Sequence, residues 1–257
     1  MSGLLQGRRL VVTGVLTEAS LASSVVRLAV EQGADVLLTS PVCRAHRVTA
    51  RVAPRLGVQA PVLELDVELE QDLAGLEAAV RHAGWDRVDG LVHAIAYLPE
   101  ADRSAGFAAA PWSTVAPTVQ TAAWSLAAVT TAVRPLLAPG ASVVGLTLDS
   151  RRARPGSDWL PVARAALEAT CRQLALELGP QGVRVNLVAS GPARSLLARA
   201  IPESDRLLAD WQAHAPLGWD DTSRAAVART VAVLLSDWLP ATTGEVLHAD
   251  GGRHAVE

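Results

Sequence analysis

"RRLVVTGVLTEASLA", residues 8–22, sets a short β-branched run against a turn that holds one glycine and a serine able to cap a helix. A strand that turns at Gly14 into a helix starting after Ser20 aims free backbone N–H groups and a helix dipole at one point. That arrangement suits a dinucleotide pyrophosphate. The turn is not the three-glycine form, because Ser20 and Ala22 stand where later glycines would be expected. An ordinary strand–helix loop with Ser20 as N-cap reads the same way from these residues alone.

The same punctuation recurs along the chain. Further apolar runs are "ADVLLTS" (34–40), "PVLELDV" (61–67), "DGLVHAIAY" (89–97), "ASVVGLTLD" (141–149), "GVRVNLVASGP" (182–192) and "GEVLHADGG" (244–252). Helical spacing lies between them, as in Leu21, Val25, Leu28 and Ala29, which run to Gly33. Continuous apolar strands alternating with helices predict an α/β fold with a doubly wound parallel sheet buried on both faces. No linker or repeat divides residues 1–257, so a single domain is expected.

Composition narrows the function. Charged residues make up 19% and the net charge is −3, which gives no electrostatic basis for nucleic-acid or anionic-membrane binding. Cys43 and Cys171 are too few and too separate for a disulfide framework or a metal site, so a reducing cytoplasm and no metal are expected. Neither a signal peptide nor a membrane span is read in the sequence. All 23 basic residues are arginine, a pattern that coding bias would also produce.

The G-x5-S-x-A pattern of residues 14–22 resembles the fingerprint of the NADH-dependent enoyl-acyl-carrier-protein reductases, a divergent branch of the short-chain dehydrogenase/reductases. The likeness continues in order through "LELDV" (63–67), "VDGLVHAIAYLP" (88–99), "SVVGL" (142–146), "VRVNLVASGPARSL" (183–196), "APLGWD" (215–220) and "LLSDWLPATTGEVLHADGG" (234–252). The last block is similar to mycobacterial-type members. The resemblance implies a Rossmann fold of short-chain dehydrogenase/reductase type and a site for NAD(H). It places Gly14, Val15, Ser20 and Leu21 at the pyrophosphate, and Asp66 and Val67 beside the adenine. Ala94, Ile95 and Ala96 would line the ribose and nicotinamide side, and Gly191, Pro192, Ala193 and Ser195 would close over the nicotinamide. It further implies a homotetramer packed around the last strands.

The likeness breaks where the chemistry should be. The family's active-site helix carries Tyr-x6-Lys, with an aromatic upstream at the end of the fifth strand. Aligned on "DWLPVA" (158–163), the tyrosine position is Ser157, the lysine position Arg164 and the upstream aromatic Leu148. The substrate loop, within residues 193–215, is shorter than in mycobacterial-type members.

Reducing an enoyl thioester puts negative charge on the carbonyl oxygen, and losing a donor there typically costs on the order of 10²–10³ in rate. Serine falls roughly 5–6 Å short of a phenol's reach. Arg164 can still donate to ribose hydroxyls, but a guanidinium does not release its proton. Tyr97, the only tyrosine, reads as a lining aromatic or a relocated proton donor. Asp149 and Asp158, with Glu100 on the same rim, are candidate bases if partly buried. Arg151, Arg152 and Arg154 read as a solvated loop or as a seat for a carrier protein's acidic face or phosphopantetheine arm. His93 reads as a core histidine, and the tryptophans as packing. The strand-two end, "LLTSPVCRAHR" (37–47), lacks an acid for the ribose 2′-OH, and Arg44 and Arg47 would tolerate a 2′-phosphate.

Three functions remain open at this stage. One is non-redox acid/base or cyclisation chemistry on an acyl or polyketide-like substrate, free or on a carrier protein, in specialised metabolism. The others are a residual NADH-dependent enoyl-thioester reductase and a catalytically silent partner of a carrier protein or paralogue.

Overall fold

The computed structural model describes residues 3–41, 44–95, 107–153, 159–194, 204–220, 222 and 224–256. Each apolar run becomes a strand: β1 Arg9–Val12, β2 Asp35–Ser40, β3 Leu63–Glu64, β4 Val88–His93, β5 Leu137–Leu148, β6 Arg184–Ser190 and β7 Val246–Ala249. They form one seven-stranded sheet in the order β3-β2-β1-β4-β5-β6-β7. Every pairing is parallel. The strand order reverses between β1 and β4, which run side by side. In such sheets ligands bind beyond the carboxyl ends of the strands at that switch point.

Burial on both faces explains the unbroken apolar runs. All seven residues of β6 are buried. One face packs against α1 (Leu21–Glu31) and a late helix, Ala225–Leu235, through residues such as Val25, Val26, Val231 and Leu235. α2 (Arg44–Val52) follows β2. The other face carries α3 (Glu70–His82), α5 (Ser125–Val133) and α6 (Leu160–Leu178), with Leu76, Leu126, Leu167 and Cys171 fully buried. α5 continues a broken helix: α4 (Trp112–Val119) contains Pro117 and passes through a π-helical turn, Gln120–Trp124. Pro117 has no N–H for the helical ladder, and π-turns relieve such breaks, often near functional sites. α7 (Ser204–His214) and α8 (Ala225–Leu235) complete the helices that concern the site.

Arg184 shows how a buried cation is accommodated in this fold. Its Nη1 donates to the Leu234 carbonyl at 2.9 Å and its Nη2 to the Ser236 carbonyl at 2.7 Å. These carbonyls close the C-terminal end of α8, where the backbone carries excess negative charge.

Candidate active site

A cavity of about 400 Å³ opens at the carboxyl ends of the strands. The turn after β1 forms one wall through Gly14, Ser20 and Leu21. Gly14 has φ +78°, and a Cβ there would lie 2.1 Å from the Ala94 carbonyl oxygen. The two loops are tied further by Thr13 Oγ1, which donates to the Val92 carbonyl at 3.1 Å and accepts from the Ala94 N–H at 3.1 Å. Ser20 caps α1, its Oγ accepting from the Ser23 N–H at 3.1 Å. The Leu21 and Ala22 N–H groups sit in the first turn, where no intrahelical acceptor exists, and both residues line the cavity.

Asp66 and Val67 form the wall after β3, and Ala94 and Ile95 the wall after β4. Gly191, Pro192 and Ala193 close the side after β6. A Cβ on Gly191 would come within 2.6 Å of the Trp219 ring, and Trp219 Nε1 donates to the Pro192 carbonyl at 2.7 Å. Trp219 therefore sets the height of this loop. Ser204, Leu207 and Leu208 bring α7, from the region read as the substrate loop, onto the cavity. Val15 is the exception: its side chain is fully buried in the core and its carbonyl accepts from Thr49 Oγ1 at 2.5 Å. Ala96, Tyr97, Glu100, Arg154, Ser157, Asp158 and Ser195 lie outside the described residues.

The inner end is built by β5 and α6. Leu146, Thr147, Leu148 and Arg164 line it. Arg164 is 6% exposed; its Nη1 donates to the Leu146 carbonyl at 2.9 Å and its Nε has no partner. Burial brings its pKa down to about 10, which still leaves a cation at neutral pH.

His93, at the end of β4, is fully buried. Ser125 Oγ donates to the Thr121 carbonyl at 2.6 Å, so its single proton is committed. The His93 Nε2, 2.7 Å from that oxygen, is therefore the donor, and Nδ1 is a bare, unpartnered nitrogen. Burial, and then the nearby Arg164 cation, hold the imidazole down at about 3 against an ordinary 6.5.

Between pH 6.5 and about 3 the unfolded chain binds this proton and the folded chain does not. The His93 contribution is thus complete above pH 6.5 and falls by about 1.4 kcal/mol per unit as the pH drops. His93→Gln should flatten the fall in urea-unfolding free energy between pH 6.5 and 4.5 by about this slope; parallel curves would contradict the assignment.

Asp149 takes a different course from that of a free base. Although burial raises its pKa, the hydrogen bond and charge of Arg151, at 2.7 Å, and His248, at 3.5 Å, outweigh it and keep the carboxyl below its ordinary value. Asp149 is not among the residues lining the cavity. His248 stacks on His254 with ring centroids 3.8 Å apart, and His254 Nδ1 lies 2.9 Å from buried Asp250. Arg152 Nη1 donates to the Val256 carbonyl at 2.9 Å. The exposed basic loop is thus fastened to the C-terminal segment. Reading the sequence missed this cluster, for which the repeated histidines of "HADGGRH" (248–254) were the available signal. It also missed Trp219, Thr121 and Thr147 as site residues. Among the described residues no group of three or more His, Cys, Asp or Glu side chains is placed to hold a metal ion.

A model of the family described as "Enoyl-(Acyl carrier protein) reductase" matches residues 14–254. The chain belongs to the enoyl-acyl-carrier-protein reductase family. It is 40% identical over 265 residues to an enoyl-[acyl-carrier-protein] reductase [NADH] of Mycolicibacterium smegmatis, covering 98% of each chain. It is 40% identical over 264 residues to a protein of the same description from Mycobacterium avium, again covering 98% of each. A reductase of that description from Neisseria meningitidis serogroup B is 33% identical over 254 residues, covering 97% of this chain and 96% of its own. The matched span takes in strands β2 to β7 and the residues that line the cavity. α7, which lies over that cavity, falls inside the matched span as well.

Proposed function

We propose that this member of the family binds NAD(H) in the cavity and acts as a reductase of enoyl thioesters, with the family's Tyr/Lys pair replaced. One observation carries the reading. Apart from Val15, every described residue expected at the dinucleotide lines one cavity. The donor set fits the group. The capped start of α1 would offer its first-turn N–H groups to a pyrophosphate, Asp66 would meet the adenine, and Gly191 to Ala193 line the same cavity as Ala94 and Ile95. The relatives' NADH dependence supports the non-phosphorylated cofactor.

When bound, NADH supplies a hydride. The chain's own residues do the rest. Gly14 lets the first turn approach Ala94 closely, and Trp219 fixes the loop above. Arg164 places positive charge at the inner end, where a carbonyl oxygen gains negative charge during reduction. We infer a cytoplasmic homotetramer acting on an acyl group, with the relatives' carrier-protein substrates as the nearest guide.

The non-redox reading keeps a footing in the replacement of Tyr and Lys at Ser157 and Arg164. Asp149, one of its candidate bases, is held as a paired carboxylate away from the cavity, so the reductase reading stands first.

The test is NADH oxidation followed at 340 nm, a general absorbance of reduced nicotinamide, with a trans-2-octenoyl thioester. Turnover that saturates with thioester is expected. Absence of oxidation by a protein that binds NADH would overturn the reductase reading and leave the non-redox one.

A further inference from the structure

α7 brings Ser204, Leu207 and Leu208 to the cavity. Two of its eleven residues, Leu208 and Trp211, are buried. A helix of three turns is marginal in water by itself and takes its stability from what it packs against. With two buried side chains as its apolar anchor, its height over the cavity depends on polar contacts as well.

Those contacts come from the turn after β7. Gly251 there has φ +72°, and a Cβ on it would lie 2.6 Å from the Gly218 carbonyl oxygen. Buried Asp250 fixes the turn, its carboxylate accepting from the Gly252 N–H at 3.0 Å and the His254 N–H at 2.9 Å. The Asp250 carbonyl accepts from Trp211 Nε1 at 3.2 Å. Arg253 then meets α7 as a fork: Nε reaches one oxygen of Asp210 at 3.1 Å and Nη2 the other at 3.3 Å. Its Nη1 donates to the Val256 carbonyl at 2.9 Å, and the guanidinium carbon lies 5.9 Å from the centre of the Trp211 ring.

The Arg253 side chain is 14% exposed and that of Asp210 34%. The pair is therefore better shielded than an open surface ion pair, and two-pronged geometry is the stronger kind. Asp210 also meets His214 at 3.1 Å, but that contact stays within one helix and ties it to nothing else. Asp210 and Trp211 lie one turn beyond Leu207 and Leu208, so the grip acts on the cavity wall through a single turn.

We infer that Arg253 and Asp210 are positioning residues: they hold α7 where Leu207 and Leu208 wall the cavity, and so set how well a long acyl chain is accepted. Each buried methylene is worth about 0.8 kcal/mol, so a displaced wall costs a long chain more than a short one. The inference rests on the reading of the cavity as an acyl-thioester site.

Dodecanoyl- and butanoyl-coenzyme A are titrated calorimetrically into the full-length protein, with NADH in parallel, and amide hydrogen exchange is followed over residues 204–214. In Arg253→Met, α7 should exchange about fivefold faster and dodecanoyl-coenzyme A should bind about fivefold more weakly, the worth of one partly shielded ion pair. Butanoyl-coenzyme A and NADH affinities should stay within about twofold, since neither depends on the far wall. Asp210→Asn should act in the same direction; an Arg253 that merely attracted the coenzyme's phosphates would bind more tightly in that variant. The double variant should be no worse than the stronger single one, because both changes break one contact. Unchanged exchange in both single variants, equal weakening of the two thioesters, or additive losses in the double variant would each overturn the inference. If Arg253→Met does not fold, exchange and the two affinities in Asp210→Asn decide the matter. Wild-type protein that binds neither thioester overturns the acyl-thioester reading together with this inference, whereas binding that the variants leave unchanged overturns this inference alone.

Discussion

Replacing Ser157 by tyrosine and Arg164 by lysine together should raise NADH oxidation by an enoyl thioester by on the order of 10²–10³, the usual worth of one well-placed donor to a developing oxyanion. The double change matters because the two positions act on one reaction. Under the proposed function, Ser157→Tyr returns the phenol that the family resemblance implies beside the substrate carbonyl. Arg164→Lys replaces a planar guanidinium, bonded to the Leu146 carbonyl, by a smaller ammonium. The gain should appear in kcat, with KM for the thioester little changed, because the added donor acts in the transition state. Ser157→Tyr alone should recover most of the effect. Unchanged kcat in the double variant, with NADH still bound, would show that the rest of the pocket no longer supports the family's reaction.

Gly14→Ala is expected to be the most damaging single substitution near the site. A methyl group would sit 2.1 Å from the Ala94 carbonyl oxygen, and the residue would also be forced to φ +78°. The left-handed conformation costs a non-glycine residue about 1–2 kcal/mol, and separating the two loops adds more. A total of about 3–5 kcal/mol is expected, a large share of a typical domain's stability. The urea midpoint at pH 7 should fall accordingly, with NADH affinity falling alongside. A midpoint within experimental error of wild type would mean that the β1 and β4 loops separate easily, contrary to the tie made by Thr13.

The sheet was readable because parallel strands are buried on both faces, so each is written as a short apolar run. "VRVNLVAS" (183–190) becomes the fully buried β6, and the strand order then follows from alternation with helices. The cavity wall was readable for another reason: Gly14, Asp66 and Gly191 follow strand ends, which the fold brings to one edge, and Ser20 caps the helix after the first of them. What sequence could not show is how polar side chains choose partners. Asp149 reads as a rim carboxylate until β5 and β7 are seen on either side of β6, bringing His248 to its side chain. Arg151 reaches the same histidine across 97 residues of sequence. Arg164 reads as a cofactor ligand by position. Its burial, its bond to Leu146 and its unpaired Nε depend on how α6 packs against β5, which no local pattern records. The π-turn at Gln120–Trp124 had one local sign, Pro117, but nothing there indicated that its Thr121 carbonyl would anchor Ser125 and, through it, His93.

The proposed function requires the cavity to be a working dinucleotide site, and calorimetric titration of the purified protein with NADH tests this most directly. A Kd in the micromolar range, about −8 kcal/mol, is predicted, with weaker binding to the Gly14→Ala protein. No heat of binding up to millimolar NADH, in protein shown to carry no nucleotide through purification, would contradict it.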